Sequence, residues 1–240
     1  MTSPDSIHQQ PRAHRARHGH LLALAGVLGG FVLVTLASGT AMPAIPVAER
    51  QALLDLHERT RGGLWSVRTG WLGAAGTECD WHGVRCDAER RHVIGLNLAN
   101  NQLRGQLPRL DDLKKLRTLN VALNRLEGPL PPLYALAELR ELAAHDNLLR
   151  GPLPELRHLD RLERVRLANN RIDGTLPALS GLAELREFDV SNNLLRGVVP
   201  ALAGLDSLRR FDASFNQLRL ARGQASCTTT VDLEGNASAL

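Results

Sequence analysis

The chain has 240 residues and a formal net charge of +4, enough length for one sizeable core or two small ones. Arg12, Arg15 and Arg17 face only Asp5 in the first 41 residues, and the 26 basic and 24 acidic residues that remain are interspersed. That balance excludes the concentrated charge of a nucleic-acid binder, a hydrophobic content of 43% excludes a disordered chain, and three cysteines exclude a cysteine-rich scaffold.

The first element is a leader. A basic start is followed by 17 uncharged residues from Leu21 to Ala37, then by the small-residue exits Gly39-Thr40-Ala41 and Met42-Pro43-Ala44. This order is that of an export signal. The apolar run is longer than a usual signal core and slightly short of a comfortable membrane span. Cleavage after Ala41 or Ala44 and retention as a single-pass N-terminal membrane anchor are therefore both open. Either outcome places the rest of the chain outside the cytoplasm, secreted or in the cell envelope. His14, His18 and His20 fall in this leader and are read as no metal site.

Residues 47–60 follow Pro46 and end before Gly62-Gly63, which predicts an amphipathic helix. Beyond it the chain repeats. Asn101, Asn124, Asn147, Asn170, Asn193 and Asn216 are spaced by 23 throughout, within the frame L-x-x-L-x-x-L-x-L-x-x-N-x-L-x-G-x-L-P that the copies around Asn124 and Asn170 spell out, although no G-x-L-P follows Asn216. The L-x-L pair faces one side of a short strand. Each asparagine turns the chain, and its amide bonds to peptide groups of its own and the neighbouring coil, building a ladder. Gly supplies a backbone conformation closed to other residues, and Pro fits an extended edge. Leucine, present 46 times, builds nearly the whole core, since aromatics make only 3% of the chain. One such coil buries nothing alone, whereas stacked coils share a core.

These residues resemble the leucine-rich repeats, and the G-x-L-P segment resembles their plant-type subclass with one residue deleted per repeat. The stretch before the repeats, with Trp65, Gly70-Trp71-Leu72 and Cys79-x-Trp81-x-Gly83-Val84-x-Cys86, is similar to that family's N-terminal cap. The resemblance implies an α/β solenoid: a right-handed leucine-rich-repeat superhelix with a parallel sheet on its concave face and a small helical, disulfide-bearing cap. Cys79 and Cys86, in an exported protein, are expected to pair. The three tryptophans are expected to seal the open end of the leucine core. The expected organisation is a leader at 1–41, a cap at 42–92, about six repeats at 93–220, and a tail or weak cap at 221–240. In the tail, Val231 and Leu233 suit a closing strand. Cys227 is left as a free thiol or a link between two chains, and Asn236-Ala237-Ser238 fits a glycosylation acceptor.

No catalytic or cofactor motif is found, so neither enzyme activity nor a cofactor is expected. Counting back from each ladder asparagine, the residues six, four, two and one before it are expected to face solvent on the concave sheet. The first two coils present almost no charge there. The later coils present Glu141, His145, Asp146, Arg164, Arg166, Glu187, Asp189, Arg210, Asp212 and Phe215, the candidate partner-binding set. Glu141, Arg164, Glu187 and Arg210 fall in one column of alternating sign, which suits either a self-compensating ladder or a recognition strip. Family members of this type include receptor ectodomains and inhibitors of cell-wall-degrading hydrolases. The resemblance therefore implies non-catalytic recognition of an extracellular protein, peptide or glycan. Hydrolase inhibition is one alternative, and an adhesive envelope role through C-terminal self-association is another.

Overall fold

A computed structural model of the protein describes residues 44–220 and 230–236. The leader with its histidines, Cys227, and the Ala237-Ser238 part of the acceptor sequence lie outside the described residues.

The helix forms where expected, as Val47–Arg59 (α1) directly after Pro46. It ends at Thr60, whose hydroxyl donates to the Leu56 carbonyl at 2.6 Å, and Arg61 then turns through a left-handed conformation. Ala52, Leu53 and Leu56 enter the core. Glu49 is buried too, an expensive place for a carboxylate unless it is bonded. It accepts the Val93 N–H at 2.7 Å and lies 2.6 Å from Nδ1 of His92, which fastens the helix to the first repeat strand. Arg50 bonds to the buried Glu78 and, at 2.8 Å, to the Gly73 carbonyl.

The tryptophans close the end of the leucine core. Ring centroids lie 4.8 Å apart for Trp65–Trp71 and 5.0 Å for Trp71–Trp81, all three side chains are buried, and each indole N–H has an acceptor. Cys79 and Cys86 are joined by a disulfide. Gly83 (φ +79°) lets this loop approach the first repeat, where an added Cβ would stand 2.2 Å from the Asn97 carbonyl oxygen.

The solenoid has two sheets. The concave one has eight strands, in the order Val84–Cys86, Val93–Asn97, Thr118–Asn120, Glu141–Ala143, Arg164–Arg166, Glu187–Asp189, Arg210–Asp212 and Thr230–Asp232. Only the first pair is antiparallel, as the cap strand runs back along the first repeat. From there each residue faces its equivalent one repeat later, as Glu141 faces Arg164 and Glu187 faces Arg210. A second, six-stranded sheet follows the asparagines: Arg104–Gly105, Arg125–Gly128, Leu148–Pro152, Arg171–Gly174, Leu194–Val198 and Gln217–Arg219. The sequence frame did not announce it. Each of its first five strands includes or directly precedes the Gly of G-x-L-P, which has φ between +73° and +95°, a region that strains any side chain.

The asparagine side chains form a continuous hydrogen-bonded column. Asn147 is typical: Oδ1 accepts the Leu126 N–H of the preceding coil at 2.9 Å, while Nδ2 donates to the Val121 carbonyl of that coil at 3.0 Å and to Ala144 of its own at 3.1 Å. At the N-terminal end Asn101 does the same for the N–H and carbonyl of Val67, in the cap.

The column ends on a seventh member, Asn236. It accepts the Leu218 N–H at 2.6 Å and donates to the carbonyls of Ala213 and Leu233 at 2.9 and 3.0 Å. Its strand Thr230–Asp232 faces Arg210–Asp212 with a step of 20 instead of 23, and Val231 and Leu233 pack on the core.

Candidate functional site

The backbone of the concave sheet is prepared by its own side chains. Four residues before the ladder asparagine, four of the six coils carry an Asn or Asp, which can accept the N–H two residues on and tighten the turn. Asn120 does so for Ala122 at 3.2 Å, Asp189 for Ser191 at 3.1 Å, and Asp212 for Ser214 at 3.1 Å. The serines return a second bond, Oγ to the same carboxylate oxygen, at 2.7 Å in both cases. The residue just before each ladder asparagine then takes a left-handed conformation: Asn100, Leu123, Asp146, Asn169, Asn192 and Phe215 all have φ between +51° and +57°.

This geometry corrects the expectation of a solvent-facing strip. Ala122, Ser191, Ser214 and Asp212 are buried, because the turn folds them under the rim. Asp212, at 6% exposure, accepts two bonds from Ser214 on one oxygen and one from Arg210, at 2.9 Å, on the other, so its own strand and turn hold it. Burial raises its carboxyl pKa, but the bonds from Ser214 and Arg210 outweigh that and hold it below the ordinary carboxylate value.

The alternating column is also not a continuous ladder. Arg164 bonds to Glu141, but Glu187 is taken by Arg166 from the neighbouring diagonal at 2.7 Å, and Arg210 turns to Asp212 on its own strand. The Glu187 bond raises the pKa of Arg166. Asp146 lies between His145 Nδ1 at 2.7 Å and Nδ2 of Asn169, which donates to it at 2.9 Å. The candidate set thus falls into separate clusters: His145–Asp146–Asn169, Glu141–Arg164 and Glu187–Arg166. Phe215 is half exposed at the C-terminal end, lying against Gly235.

A column one residue further out was not singled out in the sequence. It holds Arg117, Arg140, Glu163, Arg186 and Arg209. Arg140 bonds to Glu163 at 2.8 Å, which lowers the Glu163 pKa, and Arg186 stands 4.0 Å from the same carboxylate. Arg164, Arg186, Arg209 and Arg210, with Glu187, line a shallow depression of about 410 Å³. At the other end Gly95 leaves a hollow of about 480 Å³ walled by Arg85, Asn97, Thr118, Asn120 and Glu141. The sheet therefore grades from a nearly neutral hollow to an arginine-rich depression. Among the described residues there is no cluster of His, Cys, Asp and Glu able to hold a metal ion, and no helix long and apolar enough to cross a membrane.

No protein-family model matches the chain. Solved structures do. A crystal structure of a pollen receptor kinase 3 is 32% identical, with a TM-score of 0.58 over 65% of this chain and 79% of that one. The BIR2 ectodomain from Arabidopsis thaliana is 28% identical, with a TM-score of 0.63 over 75% of this chain and 98% of that one. A chain of the BIR3–SERK2 complex from Arabidopsis thaliana is 26% identical, with a TM-score of 0.57 over 77% of this chain and 96% of that one. With the capped, asparagine-stacked coils described above, these likenesses establish that the chain belongs to the plant-type leucine-rich-repeat proteins.

Proposed function

We propose that the protein is a non-catalytic recognition module that works outside the cytoplasm and holds a protein or peptide on coils three to six of the concave sheet. The disulfide and the likeness to a receptor kinase and to the BIR2 ectodomain support the location. A match within a complex of two such proteins supports a macromolecular partner.

The observation that carries the reading is the row of pre-formed clusters, Glu141–Arg164, Glu187–Arg166 and His145–Asp146–Asn169, beside the arginine depression. Their side chains are already ordered by one another, so a partner that exchanges into these bonds meets a smaller entropic cost than it would on free surface arginines. Aromatic anchors are absent from this row, Phe215 apart, so recognition is polar and depends on charge complementarity.

The test is a binding screen of the protein against secreted proteins and peptides, repeated with Arg164, Arg166 and Glu187 changed together to alanine. The expected result is at least a tenfold loss of affinity for the partner found. Unchanged affinity would move the site off this sheet.

A further inference from the structure

The six-stranded sheet carries charge that nothing in the fold uses. The segment just after each ladder asparagine reads x-Leu-x or x-Ile-x, so its first and third side chains point outward and the second inward. The outward positions hold Arg104, Arg125, Arg150, Arg171, Arg196 and Arg219 against two carboxylates, Glu127 and Asp173. Among the described residues none of these six guanidinium groups has an ion pair or hydrogen bond, and Nε of Arg104 is buried without a partner. The concave sheet differs sharply, since its arginines are mostly paired.

Register makes the crowding worse. In this sheet the strands slip, so that a residue faces the one 21 positions on; Arg104 lies opposite Arg125, and Arg150 opposite Arg171. Like charges on strands about 4.8 Å apart repel. Between the two doublets Glu127 faces Leu148, and after the second Asp173 faces Leu194. A third, weaker basic group follows, where Arg196 faces Gln217 and Arg219 faces Val198. Basic groups therefore recur every second coil along the sheet.

We propose that this row binds a linear acidic polysaccharide, with carboxylates of successive sugars accepted by successive arginine groups. Guanidinium matches carboxylate in a planar, two-point bond, and a periodic row of cations fits a polymer whose charges are themselves periodic. A protein partner fits less well, since no aromatic stands in the row to serve as an anchor. The half-exposed Leu194 and Val198 instead offer a low apolar strip suited to the C–H face of a sugar ring. Balanced overall charge had argued against a polyanion, but the balance conceals two surfaces of different character.

The experiment is retention of the protein on immobilised alginate, with dextran, polyglutamate and DNA as comparison supports. The variant changes Arg125, Arg150, Arg171 and Arg196 to glutamine; all four are exposed and make no bond, so the fold does not depend on them. The expected result is retention on alginate that weakens with salt, no retention on dextran, weaker retention on polyglutamate and DNA, and at least a tenfold loss in the variant. The alanine variant of Arg164, Arg166 and Glu187 should be retained as the unmodified protein is, which separates this proposal from the concave-sheet reading. Equal retention on polyglutamate or DNA, or a glutamine variant that still holds alginate, would overturn it.

Discussion

The two ends of the solenoid solve the same problem with very different means. Both must cover a leucine core that the next coil would otherwise cover. The N-terminal end uses a helix, three tryptophans in edge-to-face and tilted contact, a disulfide and two buried carboxylates, each bonded to an arginine or a backbone N–H. Among the described residues, the C-terminal end uses one three-residue strand and one asparagine. In a repeat protein each coil is supported mainly by its neighbours, so local stability follows the quality of the nearest end. The comparison leads to the expectation that, among the described coils, those near the cap are held more firmly than the last one.

The largest expected effect lies at the anchored end. Trp81→Ala removes a fully buried ring from the tryptophan cluster and should cost about 3–5 kcal/mol, read as a lower midpoint in chemical denaturation. A cost below about 1 kcal/mol would mean that the tryptophans do not close the core. Next comes the ladder. Asn147→Ala strands the Leu126 N–H and the Val121 carbonyl in the interior, with an expected cost of about 1–3 kcal/mol. Asn236→Ala should cost less globally, yet speed hydrogen exchange in Arg210–Asp212 and Gln217–Arg219 while leaving Val93–Asn97 unchanged. Equal acceleration at both ends would erase the asymmetry.

Acid should reach the two ends at different pH. Burial, and after it the nearby Arg68 charge, lower the pKa of His57, which sits among the tryptophans. The unfolded chain then binds the proton first, so the stabilising contribution is complete above about pH 6.5 and is lost as pH falls through the lower folded value. Asp212 at the other end is also lowered, so its contribution is complete above about pH 3.9 and fades below that. Denaturation midpoints measured from pH 8 to 3 should show the earlier loss disappear in His57→Gln and the later one shrink in Asp212→Asn. The smallest effect is a gain. Phe215 occupies a left-handed backbone position that Asn fills in three other coils, so Phe215→Asn should stabilise by up to about 1 kcal/mol. A loss instead would show that its contact with Gly235 matters more than the backbone strain.

Much of this architecture was legible before any coordinates. The six asparagines spaced by 23 define the coils, and the placement of three tryptophans and two cysteines between helix and first repeat marks the cap. Asn236 was missed because its interval is three residues short and its neighbours spell a glycosylation acceptor, so the motif masked the rung. Asp212 and Ser214 were expected on the surface because the two-residue alternation of a strand was carried past the point where Asp-x-Ser bends the chain. The choice of Arg166 over Arg164 by Glu187 depends on side-chain reach across a diagonal, which column counting ignores. The second sheet went unnoticed because its strands are only two to five residues long, too few for alternation to stand out.

The direction of the amide bonds has a temporal meaning. Each asparagine completes the turn made before it, never the one made after it. A polypeptide delivered from a ribosome therefore always trails one unfinished loop, whose orphaned peptide groups wait for a side chain some twenty residues away in synthesis. If coils form as they are delivered, each would be completed only when the next amide arrives.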